Sequence, residues 1–389
     1  MNNDEFRDIA PFDNDMFKSK LEELLKEPGF EHAVRYVMPG VDFDAFVDKL
    51  RQIETKEDFQ TKIMLPFLEW LEANTTDGVS ISGLDNYEAG MSYTFITNHR
   101  DIVLDASFLN LNLLHAGHPT TEIAIGDNLL IYNWIDDLVR LNKSFIVRRN
   151  LKLTQALESA RHLSAYIHHC ILNKHESIWI AQREGRAKDS NDLTQESLIK
   201  MMGLSGDGTM RSNIEEVNLL PTAISYEYDP NDYLKVKEFL LKHRDPQFKK
   251  SQHDDLLSME TGLLKHKGRI HFTLGKCISP ALRALPDTLD KNEFVRAACD
   301  MIDREIHQGY MIYPINYIAY DTLNATDRFA DRYTLSDSES VRAYVDGQLA
   351  KVDVPDITPD EMQFMREKLL SMYANPLVNK LKAEMEPAV

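Results

Sequence analysis

Seven short runs rich in β-branched and aromatic residues, at 79–82, 92–97, 122–125, 144–147, 177–181, 219–226 and 269–274, set the limits on what this chain can fold into. Between most of them lie stretches whose apolar residues recur every three or four positions, at 102–116, 128–141, 153–172, 232–242 and 253–266. Parallel strands need long crossovers, and helices that serve as crossovers cover both faces of the sheet. The alternation therefore predicts an α/β fold, a mostly parallel sheet flanked by helices.

Helical spacing also runs through 14–26 and 42–73, which predicts three helices with Pro28, Pro39 and Gly40 as breaks. After Pro286 the pattern is helical only, near 291–307, 315–323, 338–350 and 359–373, with 353–359 as a linker before the last helix. The expected organisation is a helical N-terminal segment, 1–76, an α/β domain, 77–285, and a helical C-terminal region, 286–389. A chain of 389 residues is long enough for a large core.

The chain has 62 acidic and 44 basic residues, a net charge of -18, which argues against a protein that binds nucleic acid by neutralising phosphates. An anionic ligand then needs a local basic patch. Cys170, Cys277 and Cys299 are odd in number and not at metal-ligand spacing, so neither a disulfide framework nor a metal site is expected. The histidines at 115, 118, 162, 168 and 169 lack companion ligands and are expected on the surface or in the core. The first residues have no signal-peptide pattern, and no run approaches the ~20 apolar residues that span a bilayer. A soluble protein, or one that lies on a membrane surface, is the expectation.

Residues 91–110 hold the first candidate site. A strand ends near Thr97, Asn98 is placed to cap the helical run that starts at Ile102, and His99 falls between the two. A histidine with a carboxylate nearby suits general-base chemistry, because the acid fixes the imidazole tautomer and stabilises the imidazolium. Spacing leaves two partners open, Asp101 and Asp105. The His99-Arg100-Asp101 triplet does not open a protein-kinase catalytic loop, since Ala106 stands where the kinase asparagine would be and no Asp-Phe-Gly occurs.

Two later strands end in basic residues. Arg148 and Arg149 close the run at 144–147, inside a stretch from Leu138 to Leu157 with five basic residues and no acidic one. Arg183, Glu184, Gly185, Arg186 and Lys188 follow the run at 177–181, with Gly185 suited to a sharp turn. Guanidinium forks match phosphate geometry, although by itself a solvated basic turn accounts for the arginine pair equally well and a plain surface turn accounts better for the loop at 183–188. Pro221 stands near the start of the run at 219–226, where a missing N–H is tolerated.

In order and spacing these pieces resemble the glycerol-phosphate acyltransferase superfamily, over residues 79–277. Gly83-Leu84-Asp85-Asn86 is similar to the step before the family's first block, and Asn98-His99-Arg100 to Asp105 resembles the block that carries its His/Asp dyad. Phe145 to Arg149 resembles the second block, Ile180 to Lys188 the third and Leu220-Pro221 to Tyr226 the fourth, with Gly268 to Gly275 like the late strand. Five residues separate His99 from Asp105 where the family has four, Val147 separates Ile146 from the arginine pair, and Arg186 falls one position early. A one-residue bulge at the start of the first helix is expected to restore Asp105, with Asp101 the alternative.

The resemblance implies transfer of a fatty acyl group from acyl-coenzyme A or acyl-acyl carrier protein to glycerol 3-phosphate or its 1-acyl derivative, without a metal or other cofactor. It implies His99 and Asp105 as the dyad and Arg100, Arg148, Arg149, Glu184, Gly185, Arg186 and Pro221 around the acceptor. Backbone amides after His99 are expected as oxyanion donors, and the apolar faces of 102–114 and 129–139 as the acyl groove. The implied location is the cytoplasm, peripheral on the inner face of the membrane. The competing expectation is a lipid-binding or scaffolding protein that kept the fold and lost the reaction.

Overall fold

The computed structural model describes residues 3–385. Its centre is one seven-stranded sheet: β1 (Val79–Ser82), β2 (Thr94–Thr97), β3 (Glu122–Gly126), β4 (Ser144–Val147), β5 (Ile178–Ala181), β6 (Leu219–Tyr226) and β7 (Ile270–Leu274). The order is β1-β7-β6-β2-β5-β3-β4. Neighbours are parallel except β6 and β7, so β1 and β7 run against the other five. Every residue of β2 and β6 is buried, as strands covered on both faces require, whereas edge strand β1 alternates between half-buried and exposed. The chain builds outward on the β5 side of β2 and then crosses to β6 on its other side. Such a reversal leaves a crevice beyond the carboxyl ends of the strands.

Ahead of the sheet come α1 (Asn14–Leu24), α2 (Pro28–Val37), α3 (Phe43–Arg51), α4 (Lys56–Phe59) and α5 (Leu65–Thr75), the last two joined by a π-helical turn, Gln60–Met64. Three helices were expected in this region. Pro28 begins α2 instead of breaking a helix, because its fixed φ and missing N–H suit a first turn. The Thr55 side chain accepts from Asp58 N and starts α4. The apolar faces of α1 to α4 share a cluster with Leu141, Leu138 and Trp134 of the later helix Asn133–Leu141, which joins these helices to the rest of the fold.

The crossovers are α6 (Leu104–His115), α7 (Asn133–Leu141), α8 (Leu153–His168), α9 (Glu196–Met202), α10 (Met210–Glu216), α11 (Asp232–Arg244) and α12 (Gln252–Leu264). Then follow α13 (Ser279–Ala284), α14 (Lys291–Gly309), α15 (Pro314–Asn324), α16 (Leu335–Leu349) and α17 (Pro359–Met385). α5 and α6 close one face of the sheet with Phe95, Leu220 and Phe272. α8 and α14 close the other with Ile96, Ile180 and Ala223. α11 joins α15, α16 and α17 in a separate apolar cluster.

The helix expected to end at Tyr373 continues through Pro376 to Met385. A proline in a helix interior costs about 3 kcal/mol. Burial of Met372, Tyr373 and Leu377 opposes that cost, and Asn316 Nδ2 donates to the Tyr373 carbonyl near the break at 2.8 Å. No helix among the described residues is long and apolar enough to cross a membrane.

Candidate active site

At the end of β2, Asn98 does not cap the next helix. Its Nδ2 donates to Ile224 O at 2.9 Å and its Oδ1 accepts from Ile224 N at 2.8 Å, which ties the strand end to β6. Asp101 starts α6 instead, with Oδ1 accepting from Val103 N at 2.9 Å and Leu104 N at 2.8 Å. A turn at 102–103 takes up the extra residue and leaves Asp105 in the first turn of α6.

There Asp105 Oδ2 lies 2.8 Å from His99 Nδ1 and also accepts from Arg100 N at 2.6 Å and Asp101 N at 3.1 Å. A carboxylate can only accept, so Nδ1 carries the imidazole proton and Nε2 is the basic nitrogen. Asp105 has no exposure and the His99 side chain 14%. Of the two candidate acids, Asp105 is the one in contact. Asp101 is committed to its cap, and its carboxyl is pushed above the usual range first by burial and then by Asp105. Gly262 of α12 makes room for it: a Cβ there would stand 2.0 Å from Asp101 Oδ2. The Trp179 ring meets His99 edge-on at 5.7 Å, and the buried Tyr226 hydroxyl sits beside Asp105.

His99 opens onto a cavity of about 1070 Å³, just above the ~300–1,000 Å³ usual for small-molecule sites. Arg148, Arg149, Glu184 and Gly185 line the same cavity. Arg148 pairs with Asp8 at 2.6 Å and Arg149 with Glu184 at 3.5 Å. The lack of a side chain at Gly126 admits Arg149, whose Nε lies 2.6 Å from where a Cβ would be. Gly185, at φ +69°, turns the chain after β5. Arg183, a candidate anion ligand with Arg186 and Lys188, also lines the cavity, and its Nε is buried without a hydrogen-bond partner.

Three expected site residues lie elsewhere. Arg100 points away into the core, where Nη1 is 2.6 Å from Asp192 Oδ2 and the guanidinium packs over the Tyr310 ring. Burial opposes that charge, but Asp192 and Tyr310 hold it on. Its part is to anchor the turn behind His99. Arg186 does not line the cavity; its charge acts on Lys235 of α11, on Lys250 before α12 and on Asp101. Pro221 is a buried strand residue opposite Ile96, one place beyond the last β6–β7 pair, Thr222 with Leu274. The amides of 100, 101, 103 and 104, expected as oxyanion donors, are all taken by Asp105 and Asp101.

The cavity wall is mostly apolar. Ile102, Val103, Leu129 and Val139 contribute from the stretches expected to form the acyl groove. Much of the remainder comes from the N-terminal helices, through Phe30, Val34, Phe46, Leu50, Ile63 and Phe67. That contribution was not legible, because an amphipathic helix shows that it has an apolar face but not what it faces. Trp179 was likewise hidden among ordinary strand residues. No protein-family model and no curated protein matches this chain.

Proposed function

We propose that this protein is an O-acyltransferase that moves a fatty acyl group from a thioester to a hydroxyl of glycerol 3-phosphate or 1-acylglycerol 3-phosphate. One observation carries the reading: His99, backed by the buried Asp105, stands on the wall of a large apolar cavity that Arg148, Arg149 and Arg183 also line. An apolar chain, a phosphate and a hydroxyl to be deprotonated match the three parts of that wall.

In the proposed reaction His99 Nε2 takes the proton of the acceptor hydroxyl as its oxygen attacks the thioester carbonyl. Asp105 balances the imidazolium at 2.8 Å. The tetrahedral intermediate collapses with loss of thiolate, which takes the proton back from His99. No serine or cysteine intermediate is required, since holding both substrates in one cavity supplies the gain. Arg148 and Arg149 exchange their carboxylate partners, Asp8 and Glu184, for the acceptor's phosphate. A substrate this apolar also places the protein at a membrane surface, which we include in the proposal.

The test is release of free thiol from an acyl thioester, with glycerol 3-phosphate, 1-acylglycerol 3-phosphate and glycerol as acceptors. Release that depends on a phosphorylated acceptor is expected. No release with any acceptor refutes the reading and favours a binding protein.

A further inference from the structure

Beyond the cavity, the loop after β5 runs into a second cationic group. Glu238 of α11 is 4% exposed and takes three ammonium groups: Lys188 from the loop, Lys242 at 2.9 Å and Lys250 at 3.6 Å. Arg186 adds a fourth cation, with Nη1 buried and without a hydrogen-bond partner. Among the described residues the carboxylates in ion-pair contact with these lysines are Glu238 and Asp255, the latter on Lys250 at 3.5 Å, and Asp101 acts electrostatically on Arg186. Asp254, also near Lys250, is engaged by Ser251 in capping α12. In a chain of net charge -18 a surplus of positive charge in one place is unusual. Burial, with Lys242 and Lys250 next, lowers Lys188 to about 7 despite its pairing with Glu238.

Resting on the acyl-transfer reading, we infer that Arg186, Lys188, Lys242 and Lys250 form a subsite for the phosphate end of the thioester donor's carrier arm. The cavity lining sets it apart from the acceptor's site, although Arg186 also acts on Asp101, two residues from His99. Arg183, Glu184 and Gly185 line the His99 cavity, whereas Arg186 and Lys188 do not. Glycerol 3-phosphate carries its hydroxyls a few bonds from its phosphate, so with a hydroxyl at His99 its phosphate stays on the cavity wall, at Arg148 and Arg149. A pantetheine arm puts many bonds between thioester and phosphate and reaches a cluster outside the cavity. An anion here also relieves the repulsion among the four cations.

The experiment is calorimetric binding of coenzyme A and, in parallel, glycerol 3-phosphate to the full chain, as wild type and as the Lys188→Met/Lys250→Met double variant. Lys242→Gln, at a half-exposed side chain, serves as the variant least able to disturb folding. Coenzyme A is expected to bind the wild type and to lose at least tenfold in affinity in the double variant and severalfold in Lys242→Gln, with glycerol 3-phosphate unchanged. Equal coenzyme A affinity in all three proteins, no binding to the wild type, or a loss confined to glycerol 3-phosphate each overturns the inference. Binding needs no turnover, so a protein that releases no thiol yet holds coenzyme A at this cluster separates the failure of the two readings.

Discussion

Replacing Asp105 by Asn tests the dyad while disturbing the fold least. The Asp105 carboxylate accepts two backbone amides as well as His99, so Asp105→Ala orphans Arg100 N and Asp101 N at about 1–3 kcal/mol each. The carboxamide of Asn keeps an oxygen for those amides but loses the charge. An imidazolium about 4 Å from a carboxylate gains roughly 4 kcal/mol at an effective dielectric of 20. At 1.36 kcal/mol per factor of ten, the loss is about three powers of ten in kcat. Because one oxygen, Oδ2, takes both amides and Nδ1, an Asn oxygen placed there also keeps the imidazole proton on Nδ1, and the expected fall stays at about three powers of ten. Single-turnover thiol release with saturating acceptor measures it, and an unchanged urea midpoint shows that the fold is intact. Asp105→Asn within tenfold of the wild-type rate refutes the reasoning.

Other expectations follow from the same geometry. Ala33 of α2 lines the cavity, so Ala33→Phe is expected to slow transfer from a hexadecanoyl donor at least about tenfold more than from an octanoyl donor. Equal slowing of both contradicts an acyl chain there. Gly262→Ala places a Cβ 2.0 Å from Asp101 Oδ2 and is expected to cost about 1–3 kcal/mol, read as a lower urea midpoint at unchanged m. The Asp232 carboxyl, wholly buried under Tyr344, Tyr373 and Gln348, is raised by burial from 3.8 to about 6. Between those pH values the folded state holds a proton that the unfolded chain has released, so this group's contribution to stability falls as pH rises through that window. Asp232→Asn is expected to flatten that slope in urea unfolding, and an unchanged slope counts against it.

The strand-and-helix alternation was legible because each strand run is bounded and each long crossover carries several turns of helical period. The seven-residue helices α9 and α10 and the six-residue α13 were not, since fewer than two full turns leave little period to read. Within the site, His99, Arg148 and Arg149 were readable as residue types at strand ends. The choice of Asp105 over Asp101 was not, because it depends on a turn at 102–103 that spacing alone leaves open. Arg100 misled for a related reason: neighbours in sequence point opposite ways where a chain leaves a sheet, and Asp192, its partner, is 92 positions away. Pro221 looked like a motif residue and is explained by sheet register.

In the proposed reaction His99 takes a proton from a phosphorylated alcohol while a thioester lies in the adjoining cavity. Mass spectrometry of the products formed by the wild type and by His99→Ala, given the same acyl thioester and glycerol 3-phosphate or its 1-acyl derivative, tests it most directly. An acylated glycerol phosphate is expected from the wild type and none above background from His99→Ala. Equal product from the two proteins contradicts it.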